Sequence, residues 1–335
     1  MMRRMQQNQQ VLLASRPKGA PTAADFRIVE TPLREPDDGE LVVATRFLSL
    51  DPYMRGRMNE GKSYAKPAEL GEVMIGGTVG EVVASRNAKF AVGDVVLGMA
   101  GWQQFVVTTG AGLMKVDATH LPMSAYLGPV GMPGVTAWYG LMDIGKPKAG
   151  ETLVVAAASG AVGSVVGQLA KLHGLRAVGI AGGKDKCAYV TGELGFDACI
   201  DHHEADLGER LAAATPDGID IYFDNVGGRI LDLVLARLNA FARIPLCGMV
   251  SQYNATTPYG VKNAIALLTS RVTLQGFIVS EHLDRWPAAL AELGGHVAAR
   301  RIKYREDITD GLANAPAAFI GMLEGKNFGK TLVRV

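Results

Sequence analysis

Cysteine is scarce in this chain: Cys187, Cys199 and Cys247 are odd in number and show no Cys-x-x-Cys spacing. That argues against a disulfide framework and against a structural zinc site, and it fits a reducing cytoplasm. An excess of charge of either sign is also missing. The formal net charge is +1 and the lysines and arginines are scattered, so there is no basic stripe to neutralise a phosphate backbone, and nucleic acid is not an expected partner. Long uninterrupted hydrophobic runs are absent as well. The most apolar stretch, Leu153 to Ala170, has about the length of a bilayer span, but glycines, serines and Gln168 break it up. It reads as a buried strand, turn and helix, and no membrane association is expected. The opening Met1 to Gln10 lacks the apolar run of a secretory signal and reads as a frayed tail.

What is there suffices for a large core: 48% of the 335 residues are hydrophobic, and the length suggests two domains. From Val11 to about Lys115, short β-like runs such as Leu41–Phe47, Thr78–Ala84 and Asp94–Met99 are separated by Gly, Pro and Asp, which predicts a compact, mostly β domain. From about Thr152 to Val279 strands alternate with helical stretches, the pattern of parallel βαβ units. Strands are expected near Thr152–Ala158, Ala177–Ala181, Ala198–Asp201, Asp220–Asp224, Phe241–Gly248 and Val272–Val279. Such a set makes an α/β, doubly wound parallel sheet, whose ligands sit beyond the carboxyl ends of the strands. The tail from Ile302 to Val335 returns to short apolar runs and is expected to pack back on the first domain.

Directly after the first of these strands comes Ser159-Gly160-Ala161-Val162-Gly163, followed by a helical stretch. Strand, glycine turn and helix in that order let the backbone approach a pyrophosphate at a helix N-terminus. Alanine stands where the usual G-x-G-x-x-G has its first glycine, and a plain glycine-rich turn is the competing reading. An NAD site offers an acid about twenty residues further on, for the ribose 2′-hydroxyl. Here that region reads Ile180-Ala181-Gly182-Gly183-Lys184-Asp185-Lys186. With no acid at the strand end and two lysines beyond it, a 2′-phosphate is favoured, and with it NADP; Lys186 is the candidate ligand, or else a solvated helix-start charge. Asp224-Asn225-Val226-Gly227-Gly228 and Cys247 to Tyr253 follow the next strands and are either further cofactor contacts or turns.

Several motifs together carry a resemblance over nearly the whole chain: Leu48 to Met58 (LSLDPYMRGRM), Gly131 to Ala137 (GMPGVTA), the Ser159–Gly163 turn, Tyr222 to Gly228 (YFDNVGG), Ser251 to Asn254 and Gly325 to Lys330 (GKNFGK). The chain resembles the zinc-independent medium-chain dehydrogenases/reductases of the prostaglandin (leukotriene) reductase type, within them most of all the bacterial NADPH-dependent curcumin reductases. The resemblance implies a GroES-like catalytic domain over 1–125 completed by 302–335, a Rossmann domain over 126–301, a cofactor cleft between them, and a homodimer. It implies that Gly160, Ala161, Val162 and Gly163 hold the pyrophosphate and Lys186 the 2′-phosphate. Met132, Pro133, Thr136, Asn225, Cys247, Tyr253, Phe277, Val279 and Asn327 then line the rest of the cofactor. His202 stands where many relatives have a tyrosine near that phosphate.

Zinc-dependent relatives polarise a carbonyl with a bound metal. This sequence lacks the ligands: no cysteine precedes Pro129, and the expected His/Glu pair is missing around Gly76–Glu81. It also lacks the Tyr-x-x-x-Lys pair of short-chain ketone reductases. A conjugated enone asks for less, because hydride at the β-carbon spreads charge onto the carbonyl oxygen as an enolate, which hydroxyl donors stabilise. Tyr53 and Tyr259 are the candidate donors and Tyr64 a third near the substrate entrance; each has an alternative as a packed aromatic. Arg55 and Arg57 read as surface or structural charges, with the binding of a substrate carboxylate as the alternative reading. The expected activity is NADPH-dependent reduction of an enone double bond without metal, against a zinc-free quinone reductase or a non-catalytic NADPH-binding protein as alternatives.

Overall fold

A computed structural model describes residues 6–335, and its chain divides into two compact units. One holds the described residues up to Leu127 with Glu306–Asn327 and Thr331–Val335; the other holds Gly128–Arg305 and Phe328–Lys330.

The first unit contains the strands β1 (Gln7–Leu13), β2 (Phe26–Pro32), β3 (Leu41–Ser49), β4 (Thr78–Ser85), β5 (Val95–Gly98), β6 (Phe105–Thr108) and β7 (Met114–Lys115). β1 and β2 form an antiparallel pair. The expected frayed tail is therefore corrected from Gln7 onward, while Met1 to Met5 lie outside the described residues. The polar side chains that suggested fraying are pairing groups: Asn8 donates to Phe105 O (2.9 Å) and accepts from Phe105 N (2.9 Å), and Gln10 donates to Gln103 Oε1 (2.8 Å). β3 to β7 belong to a mostly antiparallel sheet, and Leu48 on β3 packs in one buried cluster with Leu50 and Trp102. Trp102 stacks on Phe26 and meets Phe319 edge-on, with centroids 5.5 and 5.6 Å apart. A Cβ at Gly76 would stand 2.8 Å from Leu48 and 3.0 Å from Trp102, so the region without the His/Glu pair is filled by aromatic packing.

The second unit contains β8 (Thr152–Ala156), β9 (Arg176–Ala181), β10 (Ala198–Asp201), β11 (Ile219–Phe223), β12 (Leu238–Leu246) and β13 (Thr273–Gly276). They form one sheet in the order β10-β9-β8-β11-β12-β13, with parallel pairings throughout. All six expected strands are present, most ending a residue or more earlier than the apolar runs because those runs continue into the functional turns. The apolar stretch beginning at Leu153 is strand, turn and the helix Gly163–Leu172, and no helix among the described residues is long and apolar enough to cross a membrane. The strand order reverses between β8 and β11, where crossovers leave in opposite directions and the carboxyl ends diverge into a crevice. Two further strands, β14 (Glu306–Asp310) and β15 (Lys330–Arg334), close the sheet of the first unit, β15 pairing antiparallel with β3.

Candidate functional site

At the reversal point the chain leaves β8 through Ala157, which takes the left-handed φ of 54° although it is not glycine. That conformation costs roughly 1–2 kcal/mol for an alanine and turns the backbone sharply toward the Gly163–Leu172 helix. Gly163 makes the turn possible: a Cβ there would lie 2.4 Å from the Ala157 carbonyl oxygen. Gly160 N donates to that same oxygen at 2.9 Å, while the amides of Ala161 and Val162 donate to no backbone acceptor among the described residues. Free amides at the start of a helix, on backbone that no side chain shields, fit a pyrophosphate. Gly167 lets the helix close onto Phe196, whose ring leaves no room for a Cβ.

Across the crevice, Asn225 Nδ2 donates to Ala156 O at 2.9 Å and so ties the end of β11 to the end of β8. The preceding Asp224 is fully buried; its Oδ1 accepts from Val226 N (2.9 Å), Gly227 N (2.8 Å) and Tyr222 OH (2.9 Å), and Oδ2 has no partner. Burial raises its pKa against the pull of these donors. The Cys247–Tyr253 segment folds onto the same place: Cys247 N and Gly248 N donate to Asp224 O, Val250 N to Asn225 O, and Ser251 N to Val226 O. Burial, and then the Asp224 charge, push the Cys247 thiol up to about 12, so it stays neutral and serves as packing. Tyr253 places its hydroxyl 3.4 Å from Met249 N.

The end of β9 presents Gly182 and Gly183 with no acid, as the sequence predicts. Asp185 is exposed on the first turn of the helix Lys184–Gly192 and Lys186 is half-buried beside it. A Cβ at Gly182 would stand 2.8 Å from His202 Nε2 and 3.1 Å from His203 Cε1, so both imidazoles cover this strand end. Asp201, at the end of β10, accepts Gly183 N at 2.9 Å, His203 N at 3.0 Å and His203 Nδ1 at 3.0 Å, and its carboxylate is thereby engaged. The pKa of His202 is lowered by burial first, then by the charges of His203 and Lys186. A cation-rich strand end with its carboxylate occupied suits a phosphate better than a ribose hydroxyl.

Other expected cofactor residues take varied positions. Met132, Pro133 and Thr136 begin the helix Met132–Tyr139, with Thr136 Oγ1 donating to Met132 O at 2.7 Å. The ring of Phe277 is buried, edge-on to Phe223 at 6.3 Å and tilted against Tyr139 at 5.5 Å. Val279 is buried and its carbonyl accepts from Trp286 Nε1 at 3.1 Å. Asn327 belongs to the first unit.

The three tyrosines divide sharply. Tyr259 OH donates to Asp232 Oδ2 at 2.8 Å, and this bond holds its phenol pKa up. Asp232, buried and missed in the sequence, also takes Lys262 N at 2.9 Å and Asn263 N at 3.0 Å, so it organises the whole loop. Tyr53 starts the helix Tyr53–Arg57 and is raised well above the usual tyrosine range by burial, then by the Asp51 charge. Tyr64 is 52% exposed, with its pKa raised by burial and opposed by Arg57. Arg55 is buried and structural: it donates to Pro17 O, Gly19 O and Asn59 Oδ1. Among the described residues no group of three His, Cys, Asp or Glu side chains is placed to hold a metal ion.

Residues 9–116 match the family described as the N-terminal domain of oxidoreductase, and residues 161–294 the one described as zinc-binding dehydrogenase. The chain is 51% identical to the NADPH-dependent curcumin reductase of Escherichia coli (strain K12), over 98% of this chain and 97% of that protein. It is 42% identical to prostaglandin reductase 1 of Rattus norvegicus, over 95% of this chain and 96% of that protein. Among solved structures, CurA in complex with NADPH from Vibrio vulnificus superposes with a TM-score of 0.93 at 50% identity, covering 98% of this chain and 99% of that one.

Proposed function

The chain belongs to the medium-chain dehydrogenase/reductase family, in its zinc-independent prostaglandin reductase branch, and from that membership we propose that it reduces the carbon–carbon double bond of α,β-unsaturated ketones and aldehydes with NADPH. Curcumin-type enones and alkenals are the substrate class. The structural observation that supports NADPH as the cofactor is the end of β9, where the Asp201 carboxylate is engaged by Gly183 and His203 beside Lys186 and His202. NADPH, when bound, supplies the hydride.

The residues then divide the work. The amides of Ala161 and Val162, on the backbone that Gly160 and Gly163 keep open, receive the pyrophosphate, and Lys186 with His202 receives the 2′-phosphate. Asn225, Cys247, Tyr253, Met132, Pro133, Thr136, Phe277, Val279 and Asn327 line the remainder. Tyr53 donates a hydrogen bond to the substrate carbonyl oxygen as hydride reaches the β-carbon and charge moves onto that oxygen, after which a proton completes the α-carbon. Tyr53 is preferred to Tyr259 because the Tyr259 proton is already given to Asp232. Tyr64 flanks the substrate entrance.

Mixing the protein with NADPH and an enone is expected to bleach the nicotinamide absorbance and yield the saturated ketone. An allylic alcohol would refute the regiochemistry, and faster turnover of a quinone than of any enone would move the protein to the quinone reductases.

The protein is further proposed to be a cytoplasmic homodimer. Support for the dimer comes from β13, an edge strand exposed along its length, and from exposed Ile265, Leu268 and Leu274. The cytoplasm suits three free thiols. Light scattering at several concentrations tests the dimer.

A further inference from the structure

Cys187 and Cys199 lie beside the groups proposed to hold the 2′-phosphate, yet that binding uses neither of them. Cys187 follows Lys186 near the start of the helix Lys184–Gly192, and Cys199 is on β10, three positions before His202. The pairing of β10 with β9 sets Cys199 opposite Gly179. A Cβ at Gly179 would meet the Cys199 sulfur at 3.2 Å and Val190 Cγ1, on the same helix as Cys187, at 3.0 Å. The missing side chain therefore opens a slot under the helix, and the Cys199 thiol occupies it. Cys187 is three positions before Val190 on the same helix face, and its thiol meets that of Cys199 in a side-chain hydrogen bond. Both cysteines are half-buried and neither is in a disulfide.

Packing alone calls for neither the second sulfur nor the access that water has to both. We propose that Cys187 and Cys199 are a modification site, at which a hydroperoxide closes a reversible disulfide between the helix Lys184–Gly192 and β10. The Cys187 thiolate attacks one peroxide oxygen, the O–O bond breaks, and the products are a sulfenic acid and water or an alcohol. The Cys199 sulfur then displaces hydroxide from that sulfenic acid: the S–S bond forms, and the Cys199 proton leaves with the hydroxide as water. The two thiols lose two electrons in all, and the peroxide gains them. Burial raises the pKa of both thiols, and of Cys199 the more, while donors from Cys199 and Ala181 oppose it at Cys187, so Cys187 is the first to attack. An S–S bond is shorter than any non-bonded sulfur contact, so closing it draws the start of the helix toward β10. Lys186 and His202 move with their neighbours and NADPH affinity falls; by reciprocity, bound NADPH resists the closing. This coupling rests on the NADPH reading given above.

The test takes the full chain, reduced and freed of reductant, and treats it with hydrogen peroxide in the presence and absence of saturating NADPH. Expected are a loss of two hydrogens in mass, a Cys187–Cys199 peptide cross-link that dithiothreitol reverses, and an NADPH affinity weakened at least about fivefold in the oxidised protein. Saturating NADPH should slow the closing. Cys187→Ser and Cys199→Ser should form no cross-link and keep their NADPH affinity through the same treatment, and the wild-type readouts stand whether or not either variant folds. Gain of oxygen without a cross-link, a cross-link through Cys247 instead, or a Cys187–Cys199 cross-link that leaves NADPH affinity unchanged overturns the proposal. If the reduced protein takes up no NADPH, the cofactor reading fails, and the mapped cross-link alone decides the pair.

Discussion

Asn225 reaches from the end of β11 to the carbonyl of Ala156 at the end of β8, and this 2.9 Å hydrogen bond joins the two strands between which the parallel sheet reverses. The bond holds the walls of the crevice at a fixed separation where the cofactor is proposed to lie. Asn225→Ala removes it and leaves the Ala156 oxygen without that partner. NADPH affinity, measured by fluorescence titration, is expected to weaken by about five- to tenfold, in line with the net value of one hydrogen bond.

Gly163 offers a steric test of the turn. In Gly163→Ala the new methyl group meets a backbone oxygen at 2.4 Å, which only a shift of the strand end or the helix can relieve. The loss of stability is expected to be about 1–3 kcal/mol by denaturant unfolding. The rise in melting temperature that NADPH gives the wild type should disappear with it, because the same shift misplaces the amides of Ala161 and Val162.

Much of this was legible in the sequence, and the reasons for the remainder are local. Apolar runs bounded by glycine placed every strand of the parallel sheet, since strand periodicity and turn chemistry are properties of neighbours. The left-handed Ala157 was not visible, because an alanine gives no sign of the conformation that the packing of Gly163 imposes on it. Asp232 was missed for a different reason: it lies 27 positions from Tyr259, and only the fold makes them partners. Asp201 could have been noticed as an acid at a strand end, although its engagement by Gly183 and His203 could not. The glutamines before Val11 misled because amide side chains that pair with another strand look the same in sequence as a solvated tail.

His202 gives a pH signature. Its pKa is lowered in the free protein, and a bound 2′-phosphate would raise it, so NADPH binding takes up a proton. The gain in affinity is fully present below the free-protein pKa, itself below the ordinary histidine value, and is lost as pH rises through the bound one. Isothermal titration between about pH 5 and 8 should show His202→Asn losing this acid-side gain relative to wild type. The comparison between the two proteins removes the titration of the phosphate itself. NADH should show no such difference.

The tyrosines are separable by kinetics. Tyr53→Phe is expected to lower kcat on the order of 100-fold, the lower range for losing a positioned proton or hydrogen-bond donor. Tyr259→Phe should act differently: with its hydroxyl held by Asp232, its loss loosens the Lys262–Asn263 loop and is expected to resemble Asp232→Asn in both kinetics and proteolytic sensitivity.

The most direct measurement follows a labelled hydrogen. NADPH carrying deuterium at both C4 positions, given to the protein with an acyclic enone, should yield a saturated ketone with deuterium on the β-carbon and none on the carbonyl carbon, read by NMR. Deuterium on a carbinol carbon, with the double bond intact, would contradict the account.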